Sequence, residues 1–255
     1  MLWRVFRTEL LKVKRTVALR LAVLTPLIVV LLMLFIASQM PLTMLRRRGI
    51  ENDWVALARM NFVFWGLLML PLYITVESSL IAGIDHAESQ WKALLARPIP
   101  RYLFYLAKLA VVVGLVLLST VILVTGVIIS GLILPHMQQT ATFETPVPAL
   151  QIIKQGFEMT ALGFLALSIQ HWVSLKWRAF AVSTGVGIIA MVLGYGMVAA
   201  SQPNGGWTQW FPWSLPMLVL AAWPVPVSTV LLGSTFMAIV VTTAGCVEFS
   251  TREVN

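Results

Sequence analysis

Charge is what this 255-residue sequence has least of: 11% of its residues are Asp, Glu, Lys or Arg, against about 25% in a soluble domain. Apolar residues make up 59%, where a soluble domain carries roughly 45–50%. A chain of this size cannot bury that many apolar side chains in water, so a soluble globular domain and a disordered chain are both excluded. Lipid is the solvent for most of it. Cysteine is nearly missing too: Cys246 stands alone, which excludes an intrachain disulfide and a cysteine-based metal site. The patterns G-x-x-x-x-G-K-[ST], H-E-x-x-H and G-x-S-x-G do not occur, removing the usual phosphate-cradling loop, the zinc protease and the hydrolase elbow. His86, His136 and His171 are dispersed, so no metal site is expected.

What is present is a series of long apolar runs. A helical span needs about 20 apolar residues, and such runs lie near 16–38, 61–83, 105–134, 152–173, 179–200 and 226–247. The sequence therefore predicts one all-α transmembrane domain over 1–255 with six spans. The first run is too long for a signal-peptide core of about 7–15 residues and no A-x-A-like site follows it, so it reads as a retained helix. Pro203, Pro212, Pro216, Pro224 and Pro226 deny a regular continuous helix to the segment before the last span.

The net charge of +8 reads as topology, not as affinity for nucleic acid, because basic residues collect in cytoplasmic loops. With the N-terminus inside, thirteen of the eighteen Lys and Arg residues fall on the cytoplasmic side, and Arg46, Arg47, Arg48, Arg59 and Lys154 on the other. Both termini are expected in the cytoplasm of a bacterial-type plasma membrane. Trp207, Trp210, Phe211 and Trp213 fit an aromatic belt at the outer interface, and Trp172 and Trp177 flank an inner turn.

Two segments outside the spans are amphipathic. Over 1–15, Leu2, Val5, Phe6, Leu10 and Val13 fall on one helical face, with Arg4, Arg7, Lys12, Lys14 and Arg15 elsewhere. That predicts a basic helix in the headgroup layer. The inner loop over 84–101 opens with Asp85 and Glu88, spaced as a helix-start capping box. Glu88 and Lys92 pair at i,i+4, and Ala87, Trp91, Leu94 and Leu95 make an apolar stripe. Pro98 and Pro100 stop the helix.

The run Glu88…Trp91-Lys92…Leu95…Arg97-Pro98-Ile99-Pro100-Arg101…Tyr105…Lys108 resembles the ABC-2 type transporter permeases. It is most similar to the small permeases of lantibiotic immunity and bacitracin resistance, whose second inner segment reads acidic residue, Trp/Thr-Lys, Leu, Pro-hydrophobic-x-Arg, then Lys. The likeness spans most of the chain in layout and about twenty-five residues in motif; the triple Arg at 46–48 is not part of it. The resemblance implies a six-span exporter fold of the ABC-2 (type V-like) kind, in which 84–101 is a coupling helix meeting a separate ABC ATPase subunit. Asp85, Glu88, Trp91, Lys92, Leu95, Arg97, Pro98 and Arg101 would form that contact. It also implies that the permease works as a pair, with a second copy or a related permease. ATP and Mg would sit on the partner, and this chain would bind no cofactor and do no chemistry. The substrate would be amphipathic, peptide-like or drug-like, as in antibiotic resistance or immunity.

Inside the spans, Glu77 is a carboxylate in lipid, by default a functional hypothesis. The blander reading, and the preferred one, has it satisfied by Ser78, Ser79 or a neighbouring helix. Glu158 follows Lys154 by four residues and either pairs with it or lines an outer vestibule. Ser183, Gly187, Ala190 and Gly194 allow close helix approach, as packing within the chain or as a dimer seam. A membrane-embedded enzyme built on Glu77 and a stand-alone ion-coupled carrier remain as alternatives.

Overall fold

Lipid offers no hydrogen-bond partners, so each span must close its backbone bonds within itself. The computed structural model describes residues 2–40, 52–87, 100–137, 143, 146–177, 179–200, 210–220 and 225–251, the side chains of 85–87 excepted. Among these it is entirely helical, and six helices are long and apolar enough to cross a membrane. The amphipathic helix α1 (Leu2–Val13) leads into α2 (Val17–Gln39), the first span. The second joins α3 (Asp53–Phe64) through a π-helical turn (Trp65–Met69) to α4 (Leu70–Ala87). The third is α5 (Arg101–Met137), and the fourth pairs α6 (Ala149–Leu162) with α7 (Phe164–Lys176). The fifth and sixth are α8 (Phe180–Ala200) and α9 (Val227–Thr251). At 1.5 Å per residue α5 is about 55 Å long, well beyond the roughly 30 Å hydrocarbon layer.

The irregularities have local causes. Asn52 caps α3, its side chain accepting from the Trp54 N–H at 2.8 Å, as an Asn N-cap should. Pro26 has no N–H to offer the Ala22 carbonyl four residues back. Ser119 of α5 donates to that carbonyl at 2.7 Å instead. The defect in span one thus becomes a tie to span three. The π turn lies directly before Pro71, whose ring would crowd the preceding carbonyl in an α-helix. Span four breaks at Gly163, between α6 and α7. Between spans five and six, a 3-10 turn over Leu215–Val219 packs Leu215 and Leu218 against Leu162, Leu165 and Val230.

The core runs through spans one to four, around Val29, Trp54, Phe62, Trp65, Ile74, Val112, Leu123 and Met159. Spans two and four are the most enclosed, five and six the least. Glycine lets helices touch where a side chain would not fit: a Cβ at Gly131 would overlap the Trp54 ring, and one at Gly245 the Tyr105 hydroxyl.

Two local readings need correction. The helix of span two continues without interruption through Ala87, so Asp85 lies inside a helix and is not the N-cap of a new one. The apolar run that ends span two does not compel the helix to stop there, because Ile84 is followed by residues that tolerate helix. Trp213 is buried, at 7% exposure, and packs on Gly194. It is a packing residue, unlike the half-exposed Trp210, because the glycine leaves room for its ring.

The Gly131 contact gives a direct test. Gly131→Val should cost about 1–3 kcal/mol through overpacking, read as a lowered melting temperature of the purified protein. Gly114→Ala, where a Cβ meets nothing within 4 Å, should be neutral or stabilising by about 0.5–1 kcal/mol.

Candidate functional site

At the end of the bundle that carries α1, polar side chains meet from four elements. Val5, Glu9 and Val13 form the buried face of α1, at i, i+4 and i+8. Val5 packs with Phe104 and Ala107 of α5, and Phe249 of α9 closes over them. Between the two valines, the Glu9 carboxylate accepts from Lys108 Nζ at 2.7 Å and from Lys12 Nζ at 2.8 Å. Lys108 is 1% exposed and Glu9 3%. A charge at such a place is tolerated only when paired. The pair therefore fixes α1 on span three.

One turn before Lys108, the Tyr105 carbonyl meets His171 Nε2 of α7 at 3.2 Å, and the two rings stand edge to face at 4.8 Å. Next to His171, Trp172 donates its indole N–H to Glu248 of α9 at 2.8 Å. The other oxygen of Glu248 takes Lys176 at 2.9 Å. Span three is thus tied to α1 and span four, and span four to span six, within two turns of Arg101, where α5 begins.

A second polar seam uses the same two turns of α7. Ser79 of α4 contacts Ser174 at 3.3 Å and accepts from Ser183 at 3.0 Å. Gln170 donates to the Ser183 carbonyl at 2.9 Å. Ser183, Gly187 and Gly194 are buried inside the chain; a Cβ at Gly187 would overlap Thr75, and one at Gly194 would crowd Trp213. Ala190, between them, is half-buried. These residues bring span five onto span two and the 210–220 segment.

Of the sequence-predicted contact residues, Arg101 opens α5 and Asp85 has a described backbone. Glu88, Trp91, Lys92, Leu95, Arg97 and Pro98 lie outside the described residues. Glu77 is fully buried, but neither Ser78 nor Ser79 satisfies it: both carboxylate oxygens and Ser78 Oγ lack a hydrogen-bond partner, and Ser79 is engaged elsewhere. Its polar neighbour is Tyr73, one turn earlier, which also faces Ser119. The serine part of that reading fails because successive residues on a helix diverge by about 100°, which turns Ser79 toward spans four and five. Glu158 stands 3.8 Å from Lys154, with side chains 30% and 70% exposed; such a pair contributes little. Among the described residues no three His, Cys, Asp or Glu converge on a point.

Glu9 was missed by sequence reasoning. Its signal was there: it is the one acid in a basic helix, and it falls between Val5 and Val13 on the apolar face.

A family model described as ABC-2 family transporter protein matches residues 5–194. No curated protein and no solved structure matches the chain. The matched range holds most of α1, spans one to four, most of span five and every residue of the Glu9–Lys108 and Tyr105–His171 contacts.

Two outcomes test the site. Glu9→Ala takes the carboxylate away from the buried Lys108, and should cost about 3–5 kcal/mol, read by thermal unfolding. Glu9→Leu with Lys108→Met should restore most of that stability, since apolar replacement of a whole buried pair is close to neutral. Glu77→Gln should leave stability within about 1 kcal/mol of wild type, because an unpaired carboxylate in lipid gains nothing from being ionisable. A loss of several kcal/mol would show that the charge is needed.

Proposed function

The chain belongs to the ABC-2 family of transporter membrane proteins, and we propose that it is the exporting permease of a two-component machine, driven through its 84–101 segment by a separate ATPase. The permease itself is a non-catalytic transmembrane subunit, which by its family works in a membrane with an ATPase partner. The observation that carries the mechanical reading is the layer just described. The 84–101 segment returns into α5 at Arg101, and Tyr105 and Lys108, within two turns, tie to α7 and α1. A push at Arg101 is thereby delivered to α1 and spans three, four and six together.

In this reading both termini lie in the cytoplasm, and Asp85, Glu88, Trp91, Lys92, Leu95, Arg97, Pro98 and Arg101 face the ATPase. Binding and hydrolysis of ATP there shift the 84–101 segment, and two permeases, identical or related, pass between states that expose substrate to opposite sides. An amphipathic or peptide-like substrate, of the kind antibiotic immunity deals with, suits the surface available. A cleft of about 300 Å³ between spans three and four, lined by Val113, Leu117, Phe157, Phe164 and Leu167, would take the apolar part of such a substrate; Thr160 in its wall is already bonded to Thr120. The dimer contact falls outside the small-residue face of span five, which is occupied within the chain.

The test is co-purification from membranes. The tagged permease should bring down an ATPase subunit. Trp91→Ala and Arg101→Ala should cut ATP-dependent transport at least tenfold, which is about 1.4 kcal/mol of coupling, while the permease still reaches the membrane. A chain that purifies alone and transports without ATP would overturn the reading.

A further inference from the structure

Helix α1 has three faces, and only one is used inside the molecule. Val5, Glu9 and Val13 are buried. Leu2, Trp3 and Leu10 are exposed, Trp3 at 68%, on a strip beside them, as a helix resting in a bilayer surface requires. The third face and the turn after it carry Arg4, Arg7, Lys14 and Arg15, all exposed, with Arg20 exposed one turn into span one. None of these five makes an ion pair among the described residues. The acid of the segment, Glu9, is already engaged by two lysines, so nothing on the helix neutralises them.

Arg15 adds an independent sign. Its φ of 73° is the positive value found at no other non-glycine among the described residues. It follows the end of α1, where Thr16 N–H closes on the Val13 carbonyl at 3.0 Å. Glycine or asparagine takes that left-handed position with less strain. Arg15 holds this conformation at the corner between α1 and span one with its side chain exposed.

We propose that the exposed face formed by Arg4, Arg7, Lys14, Arg15 and Arg20 binds anionic phospholipid headgroups, and that the Glu9–Lys108 pair passes the resulting position of α1 to the start of span three. The charge complementarity is with lipid phosphate, since the same helix exposes the apolar strip that enters the acyl boundary. The pair is what separates this from a plain anchor. Lys108 follows Arg101 by two turns on one continuous helix, so α1 cannot rise or sink without moving the segment to which the 84–101 loop returns. The anionic lipid content of the leaflet then sets the resting position of that segment.

The experiment uses the full chain in phosphatidylcholine vesicles with increasing phosphatidylglycerol. Cys246→Ser removes the native thiol, and a single cysteine at Leu11→Cys or Tyr102→Cys, both exposed positions, carries an environment-sensitive fluorophore. With phosphatidylglycerol the label at 11 should shift, and high salt should reverse the shift as the Debye length falls to about 3 Å. Replacing Arg4, Arg7, Lys14 and Arg15 with Gln should abolish it, each cation being worth about fivefold in affinity. The label at 102 should respond over the same lipid range in the native pair. In the Glu9→Leu, Lys108→Met double variant, which removes the buried cation of span three together with its acid, the label at 11 should still respond and the label at 102 should not. No response at 11, or one that survives loss of the four cations, overturns the lipid surface. A silent label at 102 in the native pair, or one indifferent to the double variant, overturns the transmission. No ATPase is present, so failure here is distinct from failure of the exporter reading.

Discussion

A solvent without hydrogen bonds makes every unpaired polar group a liability, and the ties between helices in this protein are the places where that liability has been met by a neighbour. The Ala22 carbonyl, released by Pro26, is met by Ser119. Lys108, buried in span three, is met by Glu9. Most serines and threonines of the spans simply bond back to a carbonyl of their own helix, as Thr75 does to Pro71 and Thr243 to Ile239. Those that reach across are few, and each therefore specifies a register: Thr120 to Thr160 at 2.7 Å joins spans three and four, and Ser79 and Ser183 join two and five.

These ties are unevenly placed. Toward the α1 end the bundle is held by charged or charge-assisted contacts, Glu9 with two lysines and Glu248 with Lys176 and Trp172. Elsewhere it is held by neutral hydrogen bonds and by shape, with Trp54 against Gly131, Trp213 against Gly194 and Val124 against Gly156. Charged contacts resist separation because an opened partner would face lipid. Apolar contacts in lipid have no such penalty, because the tails are as apolar as the side chains they replace. A bundle built this way resists separation more toward the α1 end than elsewhere.

The six spans and their order were legible because hydropathy is a direct record of the solvent. That the Pro-rich segment holds no regular continuous helix was legible for the same kind of reason, since a missing N–H is a local fact, and its described part carries only a short 3-10 turn. Residues whose role depends on a distant partner were not. Glu9 looked like part of a polar surface until span three supplied Lys108, although its place between Val5 and Val13 was a clue. Glu77 gave the opposite error: sequence neighbours looked like its partners, but a helix turns adjacent residues to different sides. Trp213 resembled interfacial tryptophans in composition alone, and Gly194, about twenty residues earlier, decided its burial. Asp85 showed that a capping pattern is a signal for a helix start only where the preceding helix has ended.

Why a lysine at all within span three, when an apolar side chain would pack against α1 at less cost? An apolar contact would let α1 leave the bundle for the bilayer surface, where its Leu2, Trp3 and Leu10 face is equally at home. Lys108 removes that option. If α1 departs, Lys108, 1% exposed while α1 covers it, loses the Glu9 carboxylate within span three, and the penalty is several kcal/mol. The pair need not add stability over a hydrophobic substitute to have this effect; it raises the cost of one particular motion. The amphipathic helix and span three are thus made into one body, although the chain between them runs out through span one and back through span two.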